Sequence, residues 1–158
     1  NLGDGIFNGI DYINLSGKFG VGTDSNINIS LIEELKMLEY SQRLRQKQRA
    51  VLSDLNRSTG RVLFEKSVQG GALSTQRETG EISPGKWADL ISLDISNINL
   101  NGTYRDTTID SWIFASNRNS IKEVWSAGSK IVQNGEHLSH QKITDRYRKT
   151  LSSLRNRI

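Results

Sequence analysis

Few side chains in this sequence have both the type and the spacing that chemistry requires. The only histidines, His137 and His140, are spaced H-x-x-H behind the turn signal Asn134-Gly135. A catalytic zinc ion generally takes three protein ligands and a water molecule. With no third ligand nearby in sequence, the pattern favours two exposed loop histidines. Cysteine is absent, which excludes a disulfide framework, a thiolate zinc site and a cysteine nucleophile.

Two other catalytic or phosphate-binding motifs are not matched, which leaves Asp24 as the candidate functional residue. No serine lies in a G-x-S-x-G elbow, and Gly20-Val21-Gly22 lacks the lysine of a phosphate loop. Residues 18–21 read as a short strand, so Asp24 follows the carboxyl end of that strand, where α/β folds place catalytic groups. Its carboxylate can be a metal ligand, a general base or a loop cap that accepts neighbouring amides. The residues alone favour the loop cap.

Helical patterns surround Asp24. Residues 10–15 predict a short helix that stops at Gly17, and Ser30 with Glu33 matches the S-x-x-E capping box of a helix start. In this second helix, an apolar stripe is predicted at Leu31, Leu35 and Leu38, and the cations Arg43 to Arg49 follow toward its end.

A further helix is predicted to open at Thr59 and to run past Val68. The pair Gly70-Gly71 either caps this helix or allows close packing. The last residues predict an amphipathic helix, whose apolar stripe is Ile143, Tyr147, Leu151 and Leu154.

Between these helices the pattern changes to that of strands. Pro84-Gly85 predicts a turn before a strand at residues 90–95. Residues 121–125 and 130–133 predict a hairpin, which Asn134-Gly135 follows with another turn. We therefore expect three parts, namely an α/β unit at residues 1–78, an all-β unit at 79–139 and a helix at 140–158.

Composition limits the classes of partner. The 158 residues carry a formal net charge of +4. The clusters of basic residues are explained by helix C-termini and solvent-exposed helix faces, and no nucleic-acid-binding motif accompanies them. We expect no nucleic-acid partner. No stretch approaches the roughly 20 apolar residues of a membrane span, so we expect no membrane and a cytoplasmic location. Because the chain begins at Asn1 and its only methionine is Met37, we expect a fragment or a processed product.

Three elements resemble those of the amidohydrolase superfamily, in the same order. Residues 80–94, GEISPGKWADLISLD, resemble the G-x-I-x-x-G-K-x-A-D-L-x-x-x-D element at which the chain passes from the barrel to a small β-sandwich. Gly22-Thr23-Asp24-Ser25 resembles the motif after the eighth barrel strand, and residues 124–132 resemble the sandwich hairpin.

The resemblance implies an α/β plus β fold. It would be the C-terminal part of a metal-dependent (β/α)8 barrel, with the last strand and helices, then part of the small β-sandwich and a C-terminal helix. It implies that Asp24 binds the divalent metal, usually zinc, and takes the proton from the attacking water. The superfamily's histidine ligands are missing, and His137 and His140 match none of them. We therefore expect this chain alone to be inactive, and its open edges to be covered by a missing N-terminal segment or by a homo-oligomer.

Within the superfamily, residues 1–7 and 33–45 most resemble the deiminases that act on N-formimino-L-glutamate, and residues 60–64 and 70–72 fit the same family. This implies a hydrolase of histidine degradation that releases N-formyl-L-glutamate and ammonia. The alternatives are a guanine deaminase-like or chlorohydrolase-like enzyme, and a non-catalytic remnant that serves as an interaction module.

Overall fold

The computed structural model describes residues 3–116 and 120–157. Asn1 and Leu2 of the motif at residues 1–7, residues 117–119 of the predicted β unit, and Ile158 lie outside this description. The described residues form five α-helices, a π-helical turn and one four-stranded sheet. In chain order these are α1 (Gly9–Asn14), α2 (Leu31–Gln46), α3 (Thr59–Ser74), β1 (Leu90–Leu93), α4 (Asp106–Asp110), the π-helical turn (Ser111–Ala115), β2 (Ile121–Ser126), β3 (Ser129–Gln133), β4 (Glu136–His137) and α5 (His140–Arg155).

Helix α2 begins where the capping pattern predicts. The Ser30 hydroxyl accepts a hydrogen bond from the Glu33 amide at 3.4 Å. The predicted apolar stripe is wrong at its first position, because Leu31 is 39% exposed, whereas Ile32 is 4% exposed. The buried side continues through Leu35 to the polar residues Glu39 and Gln42. The buried face of α2 therefore differs from the predicted stripe, because it includes two polar side chains that hydrogen-bond to main-chain groups of other segments.

Glu39 and Gln42 are fully buried, and both side chains are hydrogen-bonded. The Glu39 carboxylate accepts hydrogen bonds from Arg43 Nε at 2.6 Å and from the amides of Val51 and Leu52, both at 3.0 Å. Gln42 accepts from the Gly9 amide at 3.2 Å and donates to the Phe7 carbonyl at 2.7 Å. Because an unpaired polar group in a core is costly, these bonds fix both the segment before α1 and the loop after α2.

The main core lies among α2, α3 and the helical segment at residues 106–115. It is built on Leu35, Leu63, Leu100, Trp112 and Ile113, which are at most 2% exposed. The all-β prediction for residues 79–139 is therefore wrong over residues 106–115, which are helical. Their β-branched and aromatic side chains favour strands locally, but burial against α2 and α3 outweighs that preference.

Segment 106–115 also completes the start of α3. Asp110 accepts a hydrogen bond from the Gly60 amide at 2.7 Å, and Asp106 accepts one from the Ser58 amide at 3.3 Å. Carboxylates are favourable at a helix N-terminus, where main-chain N–H groups lack partners. Gly60 is required at this contact, because a Cβ there would lie only 3.0 Å from the Asp110 Cα.

The sheet is an antiparallel meander in the order β1-β2-β3-β4. The predicted hairpin is confirmed, with Ala127 and Gly128 at its turn, at φ 51° and 78°. The second predicted turn is confirmed by Asn134 and Gly135, at φ 52° and 78°. Two consecutive positive φ values are characteristic of the type I′ turns that match strand twist.

The predicted C-terminal helix is present as α5, and its apolar stripe faces solvent. Ile143, Tyr147 and Leu154 are 53%, 64% and 51% exposed, and no residue of α5 is buried against the rest of the described chain. Among the helices of residues 3–116 and 120–157, none combines the length and apolar character needed to cross a bilayer.

An ion pair joins the loop after α3 to the sheet. The Asp89 carboxylate accepts from Arg77 Nε at 2.6 Å and Nη2 at 3.0 Å, and from the Ala127 amide at 2.8 Å. The Arg77 guanidinium also lies 4.8 Å from the centre of the Trp87 ring. Hydrogen bonding by Arg77, and then by the Ala127 amide, lowers the pKa of Asp89 from 3.8 to about 2.

Replacement of Glu39 by alanine should destabilise the fold. The variant Glu39→Ala leaves two buried amides without an acceptor, and we expect a loss of about 3 kcal/mol in the free energy of unfolding. Urea denaturation at neutral pH measures it. The control Glu33→Ala removes a carboxylate from the same helix that bonds Lys36 at 2.8 Å and is 40% exposed; it should cost about 0.5 kcal/mol. Equal losses would contradict the role assigned to Glu39.

The ion pair at Asp89 should make stability depend on acid pH. Because the folded pKa is depressed, its stabilising contribution is complete above about pH 4 and is lost as the pH falls through about 2. The variant Asp89→Asn lacks it at every pH. Urea midpoints of the two proteins should therefore differ most above pH 4 and converge toward pH 2. A difference that stays constant from pH 5 to pH 2 would contradict this prediction.

Candidate active site

The segment before Asp24 does not form the predicted strand. Residues 18–21 are in no ladder, and within the described ranges no strand is paired with them. A strand requires a neighbour to accept and donate its main-chain hydrogen bonds. The strand prediction for residues 18–21 is therefore wrong for this chain as it stands.

Helix α3 nevertheless holds this segment through its glycine pair. A Cβ at Gly70 would overlap the Phe19 carbonyl, and a Cβ at Gly20 would lie 3.1 Å from the Gly71 Cα. Of the two roles predicted for Gly70-Gly71, close packing is the one observed, because α3 continues to Ser74. The backbone that leads to Asp24 thus lies directly on α3.

Asp24 itself lies in a tight turn. The Asn26 amide donates to the Thr23 carbonyl at 2.6 Å, and Asp24 has φ 43°, in the left-handed region that aspartate tolerates better than most residues. The Asn26 side chain accepts from the Asn28 amide at 3.1 Å and donates to Glu34 at 3.0 Å. Asn26 therefore caps the loop, which is the role that the residues alone favoured for Asp24.

The Asp24 carboxylate is left exposed and accepts no hydrogen bond from the described residues. A carboxylate in this state can accept a proton or bind a cation without first breaking an internal contact. The loop supplies the geometry through Asn26, and Asp24 supplies the reactive group.

The described residues do not make a complete metal site. No three side chains of histidine, cysteine, aspartate or glutamate in residues 3–116 and 120–157 are grouped to hold a metal. His137 and His140 are both exposed, as predicted, but the prediction that they lie in a loop is wrong, because His137 is on β4 and His140 begins α5. The ring of His137 accepts a hydrogen bond from the Ser139 amide at 3.0 Å. Asp24 can offer one oxygen ligand, and a zinc ion would require others.

An open groove of about 890 Å³ lies beside this segment. It is bounded by residues 3–7, by residues 19–22 and by side chains of α2 that include Glu34 and Met37. Asp4 and Glu34 both line it, so an anionic ligand would meet negative charge there.

Arginine is the side chain best suited to bind substrate carboxylates, but Arg43 of α2 already has other partners. The Arg43 guanidinium bonds Glu39 and lies over the rings of Tyr40 and Phe114, at 5.2 and 5.3 Å from their centres. Arg45 is exposed near the end of α2.

Sequence reasoning did not single out Asn26 and Glu34. The available signal was an asparagine two residues after Asp24, since asparagine side chains commonly bond the backbone two residues on. The link from Asn26 to Glu34 spans eight residues and has no comparable local signature.

Comparison with known proteins places these features in a family. The model of the amidohydrolase family matches residues 1–131. Over 155 residues the chain is 34% identical to formimidoylglutamate deiminase of Pseudomonas aeruginosa. This match covers 98% of this chain and 34% of that protein. It is 27% identical over 119 residues to 5′-deoxyadenosine deaminase of Methanopyrus kandleri, covering 73% of this chain and 26% of that protein.

Solved structures agree on the fold. An amidohydrolase from Brucella melitensis is 39% identical with a TM-score of 0.86, covering 98% of this chain and 34% of that one. An adenosine deaminase from Xanthomonas campestris with bound zinc is 19% identical with a TM-score of 0.75, and the match covers 94% of this chain and 34% of that one. At that identity the similarity shows the fold alone. The chain spans about a third of the length of these relatives. With a family model that matches residues 1–131 of 158, the chain belongs to the amidohydrolase family.

Proposed function

We propose that this chain is part of a hydrolytic deiminase that converts N-formimino-L-glutamate and water into N-formyl-L-glutamate and ammonia. The observation that carries the proposal is the 34% identity to the Pseudomonas deiminase over 98% of the chain. The adenosine-type deaminases match at lower identity and over less of the chain, as in the 27% over 119 residues above. They form a second candidate class, which was not named among the alternatives predicted from the sequence.

In this proposal the chain contributes the end of a (β/α)8 barrel. Residues 18–21 become its last strand once neighbouring strands are supplied, and β1–β4 form part of the small β-sandwich. Apolar side chains of the loop after Asp24 and of α2 support this arrangement, because Ile27, Ile29 and Met37 are 94%, 76% and 68% exposed. Large apolar side chains exposed in this way indicate a surface that another segment covers.

Asp24 is the residue to which we assign the proton transfer. Its carboxylate takes a proton from the attacking water, whose oxygen bonds to the formimino carbon, and passes that proton to the imino nitrogen. The second proton of the water also reaches this nitrogen as the C–N bond breaks, so that ammonia leaves and the carboxylate is regenerated. Exposure of the carboxylate and the turn that holds it support this role. The chemistry that zinc supplies in such sites is activation of water at neutral pH. The other ligands are not among the described residues, so this chain alone does not fit the ion.

Recognition of the two substrate carboxylates is assigned to polypeptide outside this sequence. Asp4 and Glu34 line the groove beside residues 19–22 and would repel a dicarboxylate there. Arg43 is committed to the buried Glu39.

The proposal is tested with two proteins. The first is the 158-residue chain, for which we expect neither stoichiometric zinc by elemental analysis nor ammonia release from N-formimino-L-glutamate. The second is a chimera in which this chain replaces the matched stretch of the Pseudomonas deiminase, for which we expect both.

Within the chimera, Asp24→Asn should lower kcat at least about 100-fold, because a positioned general base contributes about 10²–10⁴. The matched control is Asp11→Asn, whose carboxylate is exposed and bonds Asn8 on the protein surface; it should retain activity. Full activity of Asp24→Asn would refute the assignment of Asp24, and a folded chimera without ammonia release would refute the substrate.

A further inference from the structure

The side chain of Asn26 is the junction between the Asp24 turn and helix α2. Two bonds of Asn26 lie inside the loop: its main-chain N–H donates to the Thr23 carbonyl at 2.6 Å, and its side-chain Oδ1 accepts from the Asn28 main-chain N–H at 3.1 Å. The third leaves the loop, from Asn26 Nδ2 to Glu34 Oε1 at 3.0 Å. This third bond ties the turn to a regular helix.

Glu34 is well placed to hold the loop. Its neighbours Ile32 and Leu35 are 4% and 0% exposed, so the first turn of α2 is anchored in the core on both sides of it. Its amide donates to the Ser30 carbonyl at 3.2 Å, within the capped start of the helix. The Glu34 carboxylate, on this anchored first turn of α2, therefore gives the side-chain amide of Asn26 an acceptor whose position is fixed.

Packing contributes little to the loop after Asp24. Ile27 and Ile29, its two largest apolar side chains, are 94% and 76% exposed. On the side before Asp24 the backbone lies against Gly70 and Gly71 of α3. On the side after Asp24, the Asn26 side chain is hydrogen-bonded to Glu34 of α2.

We propose that Glu34 is a positioning residue for Asp24 and acts through Asn26. The inference rests on the proposed function of Asp24 as the proton acceptor, and it adds the residue that fixes where that carboxylate stands. Glu34 need not touch the substrate in this role. Since a displacement of about 1 Å at a reacting group can cost about 100-fold in rate, the loss of this bond should appear in kcat.

The first experiment uses the 158-residue chain and requires no activity. Backbone order parameters from ¹⁵N relaxation should fall below about 0.6 at residues 23–28 in Glu34→Ala. They should stay near the wild-type values in Glu34→Gln, whose amide oxygen still accepts from Asn26. The matched control is Glu33→Ala, which removes the adjacent carboxylate of the same helix turn, bonded to Lys36. An equally ordered loop in Glu34→Ala would overturn the inference.

The second experiment measures ammonia release by the chimera with the Pseudomonas deiminase. Glu34→Ala should lower kcat about 10- to 100-fold with KM changed less than about threefold, because positioning acts on the reacting group. Glu34→Gln and Glu33→Ala should stay within about threefold of the parent in kcat. A disordered loop with unchanged kcat, or an equal loss in Glu34→Gln, would overturn the positioning role.

The two experiments separate the two proposals. A chimera that binds no zinc and releases no ammonia would contradict the proposed function. The order of the loop in the 158-residue chain would still decide whether Glu34 fixes the position of Asp24.

Discussion

The buried carboxylate of Glu39 is the constraint on which the rest of the structure depends. Removing such a charge from water costs several kcal/mol, and the cost is offset only when donors surround it. Here Arg43 and the amides of Val51 and Leu52 all donate to it. These bonds fix the loop after α2, so a single side chain holds the start of the connection from α2 to α3.

Helix α2 transmits that fixed position to the candidate site. Gln42, one turn beyond Glu39, holds the backbone at Phe7 and Gly9, and Glu34, five residues before Glu39, holds Asn26. The segment at residues 3–7 and the Asp24 turn therefore depend on the same helix, which also lines the groove between residues 3–7 and 19–22. Helix α3 adds a third constraint where Gly70 meets Phe19.

Local chemistry could be predicted from the sequence, whereas tertiary contacts could not. The Ser30 cap and the turn at Asn134-Gly135 follow from side chains acting on adjacent backbone, and both are confirmed. The helix at residues 106–115 contradicts its local preference, because Trp112 and Ile113 gain more from burial beneath α2 and α3. The burial of Glu39 and Gln42 on α2 was also missed, since their main-chain partners in other segments are 12 to 35 residues away. Asp24 was identified by its resemblance to a family motif, and the zinc and proton roles given to it remain predictions.

The organisation of the Asp24 loop shows how this chain, which spans about a third of the length of its relatives, can present the carboxylate that we propose for catalysis. A carboxylate is effective in catalysis when it is already in place, since reorganisation during the reaction raises the barrier. In this chain the turn is closed by Asn26 and Thr23 and is fixed to α2 by Glu34, and the segment before it lies against α3 where Phe19 meets Gly70. The carboxylate is thereby presented by the fold of this chain alone. Ligands from another segment would then need to reach a group that is already oriented, without having to order it.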